Sequence, residues 1–305
     1  RRMTNDQYPD HISLAVTAAD VERLQAEGKL IALIGIENGY VIGKDLSLIA
    51  TYRDLGARYM TLVHNGHNDI GDSAQPRPAL GDGTSEHGGL SDFGREVIGE
   101  MNRVGMLVDI SHVSKATMLQ ATAASEAPVI ASHSSVNGVF EHVRNLDDEQ
   151  LDAIKVAGGV VQIVAFDSYL KAVPTEKRES LNALRQVLGL TSPGAFVGMD
   201  DTPRANYRQG RAMINQKWPG ADVSDLVNHI DYAVQRIGID HVGISSDFGG
   251  GGGVEGWNHA LETSNVTLEL VRRGYSRESI TKLWGGNLLR VMRVAEQTAE
   301  QLQAG

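Results

Sequence analysis

The 305-residue chain contains no cysteine. That excludes disulfides, a cysteine nucleophile and any thiolate metal site, so a bound metal would have to be held by His, Asp or Glu. No apolar run approaches the roughly 18 residues of a membrane span, and the opening RRMTNDQYPDH is not a signal peptide. Positive charge is also in deficit. With 28 Lys and Arg against 38 Asp and Glu, the formal net charge is −10, which argues against nucleic acid or an anionic membrane surface as a partner. These absences leave a soluble enzyme for small substrates as the simplest class, with cytoplasm and periplasm both open.

What is present reads as a repeating unit. At 41% hydrophobic the chain is large enough for a substantial core, and nothing marks a linker, so residues 1–305 read as one domain. Short apolar runs end near Glu37, His64, His112, His133, Phe166 and Asp247, including Leu30 to Ile36 as one strand. Such runs fit strands covered on both faces. Helical patterns closed by glycine separate them, for example Ser91 to Val104 before Gly105. This alternation implies a parallel α/β architecture of barrel type, for which two further strands are needed. A segment at about 167–222 breaks the rhythm as an insertion, with helices expected over Glu176–Leu188 and Ser192–Met199. Within it, Asp200–Pro219 is polar and aromatic-flecked, with no element assigned.

The stretch Gly105 to Ser134 places His112 and His133 at the ends of two successive strands. Barrel enzymes deliver ligands to the barrel mouth in this way. Glu37, His64 and Asp247 occupy the same relative position, and a shared site at one barrel end explains five such residues economically. Imidazoles and carboxylates suit zinc or a similar divalent ion, which points to hydrolysis by an activated water. Asn65 to Gly89 is too long for a connector and reads as an active-site loop. Gly249 to Gly253 reads as a mobile loop, since no phosphate-binding fingerprint follows it. His87, His142, His229, His241 and His259 read as surface or loop residues, and Trp218, Tyr207 and Tyr169 as packing for the insertion.

The chain resembles the membrane dipeptidase (renal dipeptidase) family of zinc-dependent (β/α)8-barrel enzymes. The resemblance rests on GIENG (35–39), YMTLVHNGHND (59–69), HGGLSDFGREVIGEMNRVGMLVDISHVS (87–114), PVIASHSS (128–135), VRNLDDEQL (143–151), VGISSDFGG (242–250) and WGGNLLRV (284–291). It implies that Glu37 bridges two zinc ions, with His112 and His133 completing the second ion's protein ligands. It further implies that His64 binds substrate and stabilises the oxyanion, that Arg144 holds the substrate carboxylate, and that Asp247 shuttles the proton. The implied activity is hydrolysis of dipeptides, with a D-residue tolerated at the C-terminal side, by a chain that tends to form homodimers. The family's first metal site also needs a His-x-Asp pair on a strand before Glu37, and no such strand is read here; the first barrel strand is expected to precede residue 1. His67-Asn68-Asp69 has the pattern but reads as loop structure. Two zinc ions are expected if an earlier segment supplies the pair, and at most one otherwise. Two alternatives stay open: a metal-dependent amidohydrolase acting on N-acyl amino acids, and a non-catalytic binding barrel that has lost its first metal site.

Overall fold

The structure is a computed structural model, and it describes residues 1–191, 195 and 199–305. Among the described residues there are eight short strands: β1 (Ile12–Leu14), β2 (Leu30–Ala32), β3 (Ile34–Glu37), β4 (Ala57–Thr61), β5 (Leu107–Asp109), β6 (Ile130–Ser134), β7 (Val160–Val164) and β8 (Val242–Ser245). The last six form one parallel sheet in strict sequence order from β3 to β8. These are the six strands expected from the apolar runs. Their buried residues, such as Met60, Val108, Ile163 and Val242, belong to one core cluster that extends from Ile42 to Leu283.

Helices alternate with the strands. They are α1 (Ala18–Ala26), α2 (Ser47–Asp54), α3 (Asp92–Val104), α4 (Lys115–Ala124), α5 (Asp148–Val156), α6 (Asp167–Leu170), α7 (Thr175–Val187), α8 (Asp201–Lys217), α9 (Val223–Ile237), α10 (Thr263–Arg272), α11 (Arg277–Thr281) and α12 (Asn287–Ala304). Local chemistry sets their ends. The Ser91 and Ser114 hydroxyls accept the amides of Gly94 and Thr117, and Gly105 closes α3 in the left-handed conformation. Helices α2, α3, α4, α5 and α9 pack against one another in that order, as an outer layer following the strands does. Strands β3 and β8 are not paired among the described residues, yet Glu37 on β3 and Ser245 on β8 line one cavity. The sheet is therefore curled: a (β/α)8 TIM-type arrangement, open between β8 and β3.

Three sequence readings change. The run Leu30 to Ile36 is two strands, because β2 pairs with β1 while β3 pairs with β4. An unread strand, β1, precedes Glu37, too short at three half-buried residues to show a period, and it carries no His-x-Asp pair. The polar stretch after Asp200 is the helix α8, whose faces are largely exposed and so lack an apolar stripe. Helix α7 matches its expected range, whereas the helix expected over Ser192–Met199 falls largely on residues outside those described. No described helix is long and apolar enough to cross a membrane.

Candidate metal centre

The C-terminal ends of the sheet strands converge on one cavity of about 250 Å3, lined by Glu37, Tyr59, Thr61, Ser132, His133, Gln162, Ser245 and Asp247. Glu37 is the last residue of β3, and its Oε1 lies 3.3 Å from His112 Nε2, 3.3 Å from His133 Nε2 and 3.8 Å from His64 Nε2. The two histidine Nε2 atoms are 2.8 Å apart. One ligand atom from each of Glu37, His112 and His133 falls within 4.8 Å of the others. His64 stacks obliquely on His112, with centroids 4.1 Å apart.

Hydrogen bonds orient these rings. Asn65 Oδ1, 3.2 Å from His112 Nδ1, can only accept, so Nδ1 carries the proton and Nε2 turns a lone pair to Glu37. On His133, Nδ1 is 2.8 Å from Ser132 Oγ, which itself donates to Asp109 Oδ2 at 2.6 Å. The protonation states agree with this arrangement. The adjacent His112 and His133 side chains hold the Glu37 carboxyl well below the usual range. Burial pushes His112 down to about 3, despite the opposing Glu37 carboxylate, and burial also lowers His64. An anionic carboxylate beside neutral imidazoles, with lone pairs converging, is a donor set suited to zinc or a similar divalent cation.

The backbone is bent to achieve this. Among the described residues the positive-φ positions other than glycine are Asn38 (93°), His112 (68°) and Asp247 (52°), each a candidate site residue or next to one. Such conformations cost about 1–3 kcal/mol each and persist where the surroundings enforce them. At Asp247 the enforcement is visible. The amides of Gly250 and Gly252 both donate to its carbonyl at 3.0 Å, and a Cβ on Gly250 would collide with its carboxylate. Gly249 to Gly253, expected as a mobile loop, is a turn wrapped on Asp247 and tied to β7 by Gly253 N donating to Ala165 O at 2.6 Å. Burial raises the Asp247 pKa, and the Glu37 charge adds to the rise.

Arg144, in the segment between β6 and α5, is 3% exposed, and its Nε and Nη2 are buried without a hydrogen-bond partner. Its guanidinium lies 5.6 Å from the centre of the Tyr169 ring. Burial lowers its pKa, while its charge reaches Glu37 and Asp247. An unsatisfied buried cation facing a site is expected where a ligand anion completes the pair. The structure thus brings Glu37, His64, His112, His133 and Asp247 together, with Arg144 electrostatically coupled to them. Tyr169 packs, as expected, between Phe166 and His142.

The long loop Asn65–Gly89 acts as a buttress. Ser73 Oγ donates to the carbonyls of His64 and His112, and Ala74 N donates to the latter. Buried Asp72 organises it: burial opposes ionisation, but the Ser85 hydroxyl and the amides of Glu86, Gly89 and His87 bring its pKa down to about 2. His67-Asn68-Asp69 is engaged locally, His67 accepting from Ser73 N and Asp69 pairing with Lys44 at 3.1 Å. His229 departs from the surface reading, because it is fully buried and bridges Val136 N and Leu170 O. Sequence reasoning missed Asn65, Asp109 and Ser132. The signal for Asp109 was present, as a charge inside the apolar run MLVDI requires partners.

Fold and site together define an α/β-barrel protein whose strand ends converge on a candidate metal centre. All of residues 1–305 match the model of the membrane dipeptidase family, peptidase family M19, and the chain belongs to that family. It is similar to Dipeptidase tcpJ of Claviceps purpurea, 33% identical over 293 residues covering 96% of this chain and 57% of the relative. It is also similar to Dipeptidase aclJ of Aspergillus oryzae, 32% identical with coverage of 99% and 60%. The chain spans less than two thirds of the length of these relatives. Among solved structures, the probable dipeptidase PvdM from Pseudomonas aeruginosa superposes with a TM-score of 0.83 at 36% identity, covering 97% of this chain and 77% of that one. A metallo peptidase from Rhodobacter sphaeroides, liganded with a phosphinate mimic of L-Ala-D-Ala, shares the fold with a TM-score of 0.68 at 23% identity, covering 93% and 69%.

Proposed function

We propose that the protein is a zinc-dependent dipeptidase that hydrolyses dipeptides with a free C-terminal carboxylate and tolerates a D-residue at that position. The observation that carries this reading is the convergence of Glu37, His112 and His133 on one point, with the Arg144 guanidinium, whose Nε and Nη2 lack partners, coupled to it electrostatically. Glu37 Oε1, His112 Nε2 and His133 Nε2 would hold the ion. Zinc there supplies a Lewis acid that makes water nucleophilic near neutral pH and polarises the scissile carbonyl. A second zinc would need the family's His-x-Asp pair, which the described residues do not place at this site.

The chain's own groups supply the rest. Arg144 binds the substrate carboxylate through its two free N–H groups, which fixes the peptide's direction. Neutral His64 donates a hydrogen bond to the oxygen that gains charge as water adds to the carbonyl carbon. Asp247, with its raised pKa, accepts the proton lost by that water and delivers it to the departing amine as the C–N bond breaks. D-residue tolerance and a homodimeric state follow from the family resemblance. Arg144 would equally hold the carboxylate of an N-acyl amino acid, so the test compares three substrates on zinc-loaded protein: a free dipeptide, its N-acetyl derivative and its C-terminal amide. The expected result is that the free dipeptide is cleaved far faster than the other two. Preference for the acetyl derivative would favour the amidohydrolase reading, and indifference to amidation would contradict the role of Arg144.

A further inference from the structure

Beneath the two histidines lies a carboxylate that touches neither. Asp109 closes β5 and is fully buried. Its Oδ1 accepts the amides of Ser111 at 3.0 Å and Ser132 at 2.9 Å, and its Oδ2 accepts the hydroxyls of Thr61 and Ser132, both at 2.6 Å. One side chain thereby ties together the ends of β4, β5 and β6. The β5–β6 ladder needs the tie, since Asp109 with Ile130 is its one registered residue pair.

The chain of hydrogen bonds has a direction. Ser132 has one hydroxyl proton, and Asp109 takes it. Ser132 Oγ can therefore only accept from His133, 2.8 Å away, so the His133 proton sits on Nδ1 and the Nε2 lone pair faces Glu37. Ser111 holds the backbone of the same residue, its Oγ accepting the His133 main-chain amide at 3.0 Å. A serine is thus interposed between carboxylate and imidazole, where ligating histidines commonly meet a carboxylate directly.

We propose that Asp109 is a positioning residue for the metal site, acting through Ser132 to fix the His133 tautomer and strengthen it as a ligand. This rests on the reading of His133 as a metal ligand and is independent of which substrate the enzyme cleaves. Partners of this kind typically change metal affinity by about 10–100-fold. The experiment measures zinc affinity of the full chain by competition with a chromophoric chelator for wild type, Asp109→Asn, Ser132→Ala, the double variant and Ser132→Thr, with thermal unfolding of each as a check on folding. Both single variants should bind zinc about 10–100-fold more weakly. The double variant should be no weaker than the worse single one, because both break one chain of bonds. Ser132→Thr, which keeps the hydroxyl, should recover most of the affinity. Nitrogen-15 imidazole spectra of the zinc-loaded wild type should show a protected His133 Nδ1–H that is lost in Ser132→Ala. Folded single variants with wild-type affinity, losses that multiply in the double variant, or a His133 proton on Nε2 would each overturn the inference. Dipeptidase assays on the same samples keep the outcomes apart, since tight zinc binding without peptide cleavage defeats the substrate reading alone.

Discussion

Arg144, in the segment after β6, and Lys177, on the inserted helix α7, are buried to nearly the same degree, at 3% and 2% exposure. Their surroundings are opposite. Lys177 Nζ meets Asp167 Oδ2 at 3.0 Å, so the insertion's charge is neutralised where the insertion leaves the barrel. Arg144 keeps two buried N–H groups unanswered. Burying an unpaired charge costs several kcal/mol, whereas a paired one recovers much of that cost. A fold retains an unpaired buried charge when something outside the chain completes it, so the difference is the one expected if Lys177 is a structural cation and Arg144 the ligand-binding cation proposed above. Asp72 is a third case, a buried anion satisfied mainly by neutral donors.

The comparison breaks most visibly at Arg144. Replacing it with methionine should lower kcat/KM for free dipeptides by about 100–1,000-fold, the scale of losing a buried charged partner. Amidated dipeptides should be affected little, and thermal stability should be unchanged or raised, because an uncompensated charge has been removed. Equal losses on both substrates would make Arg144 a structural residue. Lys177→Met should do the reverse: stability falls by about 1–3 kcal/mol, discounted because Asp167 is a quarter exposed and can rehydrate, while kcat/KM of the folded protein stays within a few-fold. Denaturant midpoints and steady-state assays on the same samples decide this.

Asp72 sharpens the comparison with pH. Its folded pKa of about 2 lies below its ordinary value of 3.8, so the stability it contributes is present above about pH 4 and lost as pH falls toward 2. The shift corresponds to about 2–3 kcal/mol. Asp72→Asn should flatten the acid limb of the stability curve by that amount or less, read from unfolding midpoints between pH 2 and 5. An unchanged acid limb would remove Asp72 as the loop's organising charge.

The strand ends were legible because five of the six apolar runs stop at a polar residue, and parallel strands in a barrel send their C-terminal ends to one face. That is why Glu37, His64, His112, His133 and Asp247 could be grouped before any distance was known. The interposed hydroxyl of Ser132 was not legible. Asp109 and Ser132 are 23 residues apart and meet only through the register of β5 on β6. Likewise, the split of the run from Leu30 into β2 and β3 depends on a change of pairing partner, which leaves no local trace. Gly249 to Gly253 was legible only as a flexible composition. Its glycines are there to let the chain fold back on Asp247, and composition does not distinguish that from mobility.

The central claim is that Glu37, His112 and His133 hold zinc, and X-ray absorption at the zinc edge of the purified, zinc-loaded protein tests it most directly. The account predicts two imidazole nitrogens at about 2.0–2.1 Å and carboxylate oxygen at about 2.0–2.2 Å. It also predicts one imidazole fewer, or no retained zinc, in His133→Ala. An unchanged spectrum in that variant, or a wild-type protein that retains no zinc, would contradict it.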